Sequence, residues 1–189
     1  SRMLFQIFYK ATKVFQQAPD GFALNMDMPE NLIPYLHRGN PLGLPTWLSR
    51  FDFVLDTQGR LRMVEINADT PCFLIESYYA NEVGARYFDK EHPNEGARDE
   101  LERFLKRVYE RTSQENSKYN TVKSGGANPF VFACFHDYLE DLGTTKFLMN
   151  TLKSACPEAD VRFLSFYDMV IDDEGILLPD GSHASNLYR

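Results

Sequence analysis

Phe130 to Phe135 is an unbroken apolar run, and no other stretch constrains the fold as much. A strand that is apolar at every position, not at alternate ones, has to be covered on both faces. Parallel sheets with helical crossovers provide that cover. The flanking pattern supplies the crossover. Leu142 to Ala155 places Phe147, Leu148, Thr151, Leu152 and Ala155 at helical spacing, and Pro157 stops it. Asp160 to Phe166 then alternates Val161, Phe163 and Ser165 against Arg162, Leu164 and Phe166, a second strand. A βαβ unit over Phe130 to Phe166 follows, with its hand set by the right-handed crossover rule. The run itself is far short of the ~18 apolar residues a membrane span needs.

The rest of the chain reads as helices, a hairpin and loops. Residues 3–17 are helical by spacing, through Leu4, Ile7, Phe8, Ala11, Val14 and Phe15. Residues 19–44 hold four prolines and three glycines and admit only short helical turns. Leu48 to Asp56 and Arg60 to Asn67 are alternating runs joined by Asp56-Thr57-Gln58-Gly59-Arg60, a hairpin signal. Thr70-Pro71 reads as an N-cap and first helical position, opening a helix to about Phe88. Ala97 to Gln114 is a helix with Leu101, Phe104, Leu105, Val108 and Tyr109 on one stripe. Glu115 to Asn128 is a polar connection. Val170 to Leu178 is a second small hairpin turning at Asp173-Glu174-Gly175.

The expected architecture is α/β: a mixed, mostly parallel sheet with the βαβ unit, a motif-bearing β-hairpin at its edge, and covering helices. The N-terminal helix is expected to pack against that sheet. Residues 1–189 read as a single domain. Within it, 1–114 form the helical and hairpin part and 129–189 the βαβ part. The chain opens at Ser1 directly in an amphipathic pattern, so it is expected to be a piece of a longer protein. A net charge of −7 disfavours nucleic acid as a partner. Three cysteines without CxxC spacing read as a reducing, cytoplasmic setting and argue against a zinc site.

The chemistry concentrates in Arg50-Phe51-Asp52-Phe53 and Glu65-Ile66-Asn67-Ala68-Asp69-Thr70-Pro71. Side chains alternate faces along a strand, so Arg50 and Asp52 share a face of the first run, and Glu65 and Asn67 share a face of the second. With a four-residue loop from Thr57 to Arg60, Asp56 pairs with Leu61. Counting outward, Asp52 stands opposite Glu65 and Arg50 opposite Asn67. A one-residue slip would separate the carboxylates. Two carboxylates across a ladder repel. A hard divalent cation suits an Asp, Glu and Asn oxygen set, with phosphate oxygens completing the shell. Arg50 adds a planar donor for a phosphoryl group. The pattern also fits a solvated face with an ordinary salt bridge.

The motif pair closely resembles the signature of the glutathionylspermidine synthase family of ATP-grasp ligases, over residues 50–71. A weaker resemblance runs through Phe130 to Phe135 and the closing Asp180-Gly181 and Leu187-Tyr188-Arg189. The resemblance implies a pre-ATP-grasp-like region and the cofactors ATP and Mg²⁺. The acid would be activated as an acyl phosphate and captured by an amine. In the namesake, glutathione is the acid and the polyamine spermidine the amine. By resemblance, Arg50 is the catalytic residue contacting the transferring phosphoryl group. Arg50 and Asp52 bind the nucleotide, and Asp52, Glu65 and Asn67 hold Mg²⁺. Where the family shows small hydroxyl residues lining the thiol-peptide site, this chain has Cys72-Phe73, which points to a different acid. The family's ATP-grasp part would lie beyond Arg189, so the 189 residues are expected to be inactive alone. The alternative is a binding module that has kept the scaffold and lost the chemistry. A third reading is a metal-dependent hydrolase using the same carboxylates, which lacks a nearby His as base.

Other residues read as structural. Cys134 and His136 are a buried thiol and a strand-end imidazole more readily than a nucleophile pair. Cys72 is a small core residue, although a helix N-terminus can activate a thiol. His37, His92 and His183 sit in loops without ligand spacing. Asp172-Asp173-Glu174 is a solvated acidic turn, and Tyr78-Tyr79 are core rather than a stacking platform. Asp69 caps the following helix or supports the metal from outside.

Overall fold

A computed structural model describes residues 2–38, 46–68, 72–118 and 129–189. Contacts divide the chain into two compact units, Ser1–Asp69 and Thr70–Arg189.

The first unit begins with helix α1 (Arg2–Gln16), followed by the short helices α2 (Asp20–Leu24) and α3 (Ile33–Arg38). Strands β1 (Arg50–Leu55) and β2 (Leu61–Asn67) then form an antiparallel hairpin. α1 is amphipathic but buries no residue fully. Its Phe8 ring meets Phe51 of β1 at 6.0 Å, and its Phe15 meets Phe22 of α2 at 5.6 Å. Among the described residues of this unit the buried hydrophobic ones are Ala23 and Ile33. His37 ties its helices together. Its Nδ1 donates to the Gln16 carbonyl at 2.7 Å, and Nε2 meets Asp20 Oδ1 at 2.8 Å. His37 thus lies on α3 and not in a loop, and both partners raise its pKa, the Gln16 carbonyl foremost.

The second unit is built on β3 (Phe130–Cys134), β4 (Val161–Ser165) and β7 (Asn186–Tyr188). All three are parallel, in the order β4-β3-β7. Helix α6 (Leu139–Ala155) makes the crossover from β3 to β4. Every residue of β3 is buried, and the two faces show why. Val131 and Ala133 pack with Leu164 and Leu178, under Met169, Ile176 and Leu187. On the other side Phe130 stacks on Phe132 at 5.3 Å and meets Tyr109 at 6.4 Å. Tyr109 belongs to α5 (Ala97–Lys118), which packs on α6. The antiparallel pair β5 (Val170–Asp172) and β6 (Gly175–Leu177) forms the second hairpin.

The helix expected from Thr70-Pro71 to Phe88 is a π-helical turn, Glu76–Ala80, running into α4 (Asn81–Tyr87). The Thr70-Pro71 cap lies outside the described residues, as does Asp69. Tyr78 and Tyr79 meet Phe147 of α6 at 5.3 and 6.0 Å; Tyr78 is half-buried as expected of packing, but Tyr79 is 44% exposed and so not a core residue. Gly143 allows this approach, because a Cβ there would stand 2.9 Å from Ile75 Cδ1.

One expectation of placement is corrected. The β1–β2 hairpin is its own two-stranded sheet and not an edge of the parallel one, which consists of β4, β3 and β7. Within its own unit α1 packs on α3 and on Phe51. Period-two alternation identifies a hairpin but carries nothing about which sheet it joins. Among the described residues no helix is long and apolar enough to cross a membrane.

Candidate metal and phosphate site on the β1–β2 hairpin

The turn sets the geometry of the hairpin. Asp56 N–H donates to the Arg60 carbonyl and Gly59 N–H to the Asp56 carbonyl, each at 2.9 Å. Gly59 is in the left-handed region, φ 73°. This is a three-residue loop ending in a left-handed glycine, a common hairpin closure. The Asp56 carboxylate accepts from the backbone N–H of Gln58 and Arg60 and from both Arg60 and Arg62 Nε. Those bonds, led by the Arg60 N–H, hold its pKa below the ordinary value.

The loop is one residue shorter than the four-residue count, so Leu55 faces Leu61, where Asp56 was expected. A bulge then restores the register. Phe53 faces Met63 and Asp52 faces Glu65, leaving Val64 extra. Arg50 faces Asn67. The four motif residues therefore meet as expected, through two departures that cancel. Bulges bend a strand and re-aim its side chains, and they recur beside active sites.

Arg50 makes a two-pronged ion pair within the set. Its Nε donates to Asp52 Oδ1 at 2.8 Å and its Nη2 to Oδ2 at 3.0 Å. Both side chains are about one-third exposed. The guanidinium lowers the Asp52 pKa, so the carboxylate is ionised at neutral pH. Glu65 across the ladder is exposed, and Asn67 is half-buried. Arg50, Asp52 and Glu65 together carry a net −1, while Arg62, opposite Val54, is drawn toward Asp56 at the turn. Among the described residues no group of three His, Cys, Asp or Glu side chains could hold a metal. The donor set here is different: two carboxylates and an amide. Those are hard oxygen donors of the kind Mg²⁺ takes with phosphate oxygens and water, so the residues fit such an ion.

The second unit contains a cavity that the sequence reading did not find. It lies at the carboxyl ends of β3 and β7, lined among others by Cys72, Cys134, Asp141, Thr145, Tyr188 and Arg189. Ligands of open α/β sheets bind at such strand ends. The available signal was the position of Asp141 to Thr145, directly after a buried strand and opening a helix. The Cys72 thiol donates to Asp141 Oδ1 at 3.7 Å. Phe73 beside it adopts φ 73°, unusual for a bulky residue, and is 54% exposed.

The remaining candidates are structural. Burial pushes the Cys134 thiol pKa up, and His136 Nδ1 is bonded to Ser165 Oγ at 2.7 Å. His183 Nε2 pairs with Asp172 at 3.0 Å, while Asp172 also caps the acidic turn through the N–H groups of Glu174 and Gly175.

No curated protein matches the chain. The family described as glutathionylspermidine synthase pre-ATP-grasp matches it over residues 1–184. A match of that extent, on a chain with this hairpin and this parallel sheet, places the protein in the glutathionylspermidine synthase pre-ATP-grasp family.

Proposed function

We propose that this chain supplies the metal- and phosphate-binding wall of an ATP-dependent carboxylate–amine ligase. The observation that carries the reading is the register, which puts Arg50, Asp52, Glu65 and Asn67 on paired positions of one hairpin. Membership of a ligase-related family supports it. Mg²⁺, when bound, would neutralise phosphate charge during transfer.

The residues divide the work by their chemistry. Asp52, Glu65 and Asn67 offer oxygens to the cation. Arg50 offers a planar pair of N–H donors to the phosphoryl group. In the proposed reaction an oxygen of the acid attacks the γ-phosphorus, and the bond to ADP breaks. An amine then attacks the acyl carbon, a proton leaves the nitrogen, and inorganic phosphate departs. Holding charge in place is the larger part of catalysis in such transfers. Glutathione and a polyamine are the reference substrates of the family. Exposed Phe73, in place of a small hydroxyl residue, supports an acid other than glutathione.

The test is ADP release by the gene-length protein with Mg²⁺ and ATP. It is run with glutathione and spermidine, then with a panel of other acids and amines. Release that requires an acid and an amine together supports the ligase and identifies its substrates. A folded protein that releases no ADP with any pair makes it a binding module.

A further inference from the structure

Resting on that reading of the hairpin, we propose that Arg50 locks the cation site, so that a divalent cation and a polyphosphate bind together as one coupled ligand. The geometry of the ion pair carries this. Arg50 spans both oxygens of Asp52, at 2.8 and 3.0 Å. Two-pronged charged pairs of this kind are the stronger class of hydrogen bond. A cation approaching Asp52 competes with the guanidinium for the same lone pairs and meets its positive charge. Glu65 and Asn67 by themselves offer too few oxygens to dehydrate an ion such as Mg²⁺, which gives up water reluctantly.

A polyphosphate changes the competition. It presents oxygens that suit the same planar donor and carry more charge than one carboxylate. Arg50 and Asp52 lie two residues apart on one strand face, so the guanidinium can transfer by side-chain rotation with β1 unmoved. Once Arg50 faces phosphate, Asp52 and Glu65 present two negative charges to the cation, where with Arg50 locked the three residues present a net of one. Each ligand therefore favours the other, and the coupling is reciprocal.

The experiment is equilibrium dialysis of the full chain, read by the electron paramagnetic resonance of Mn²⁺. The probes are Mn²⁺ alone and preformed Mn²⁺–tripolyphosphate. The parent should bind the complex at least 5-fold more tightly than the bare ion, the lower end of ordinary coupling. Arg50→Gln should bind bare Mn²⁺ at least 5-fold more tightly than the parent and lose the preference for the complex. Arg50→Lys, a point charge that cannot span both oxygens, should fall between. Circular dichroism checks that each variant is folded. If Arg50→Gln binds bare Mn²⁺ no better than the parent, or keeps the preference for the complex, the lock is wrong and the metal site stands. If neither parent nor variants bind Mn²⁺ in either form, the metal site falls and the lock with it.

Discussion

The two units of this chain hold their structure in different ways. In the second unit β3 is buried along its whole length, with Phe132 and Val131 at 0% exposure. In the first, β1 and β2 pair with each other alone in their sheet, and Leu55 near the turn is 71% exposed. A two-stranded hairpin is marginal in water by itself. What organises this one is a set of polar bonds: Asp56 gathering the turn, and Arg50 holding Asp52. The lesson is that the residues with candidate chemistry sit where electrostatics shapes the chain and are not part of the best-packed core. Charged groups keep their reactivity toward ions and phosphates only while water can reach them, and full burial would penalise them heavily.

The contrast can be broken most severely in the core. Phe132→Ala should destabilise the second unit by about 3–5 kcal/mol, the usual range for a buried Phe, read by urea unfolding. Leu55→Thr on the hairpin should change stability by less than about 0.5 kcal/mol. A similar loss from both would erase the distinction.

Chemistry should show the opposite ranking. Asp52→Ala or Glu65→Ala in the gene-length protein should lower ADP release by roughly 100-fold or more, the scale for losing one charge-stabilising group. Circular dichroism should stay near that of the parent. Release at the parent's level would end the metal assignment.

A smaller effect is expected at the turn. Gly59→Ala forces a Cβ into φ 73° and should cost about 1 kcal/mol, read as a fall in melting temperature. If that substitution is neutral, the three-residue loop is not what sets the register.

The smallest effects are pH-dependent and sharpen the comparison by their sign. The folded-state pKa of His37 is raised by Gln16 and Asp20. Its contribution is fully present below the unfolded value of about 6.5 and fades as pH rises through the folded value. In the second unit Asp180 is held at about 2 by the Ser182 hydroxyl and N–H and by Arg162. Arg162 also forks onto Asp160 at 2.8 and 2.7 Å. That contribution is present above the unfolded carboxyl value and is lost as pH falls through about 2. Proton NMR of the His37 ring, with melting temperatures of His37→Ala and Asp180→Asn across pH, checks both directions. A His37 titration below the free imidazole value would reverse the first.

Much of this was legible in the residues. The apolar run Phe130 to Phe135 dictated a two-sided strand, and β3 is one as far as Cys134, with Phe135 exposed beyond its end. The spacing of Leu101, Leu105 and Val108 put one stripe in the core, and all three are buried. The motif pair identified the residues worth watching, and the register brings them together. Local patterns of this kind carry through because period and burial are linked one strand or helix at a time.

Other features depended on chain meeting chain. Counting residues could not show that a short loop and an extra Val64 would cancel, because register follows from turn geometry. Nor could it assign the second neighbour of β3, a place taken by the distant β7. The cavity joining Cys72, Asp141 and Arg189, and the grip of His37 on Gln16 and Asp20, unite residues far apart in sequence. The sequence by itself determined the element types, the buried strand and the identity of the motif residues, all short-range consequences of side-chain chemistry. Tertiary structure alone decided which sheet each strand joined and which distant side chains met, because those depend on competition among surfaces that become neighbours only after the chain folds.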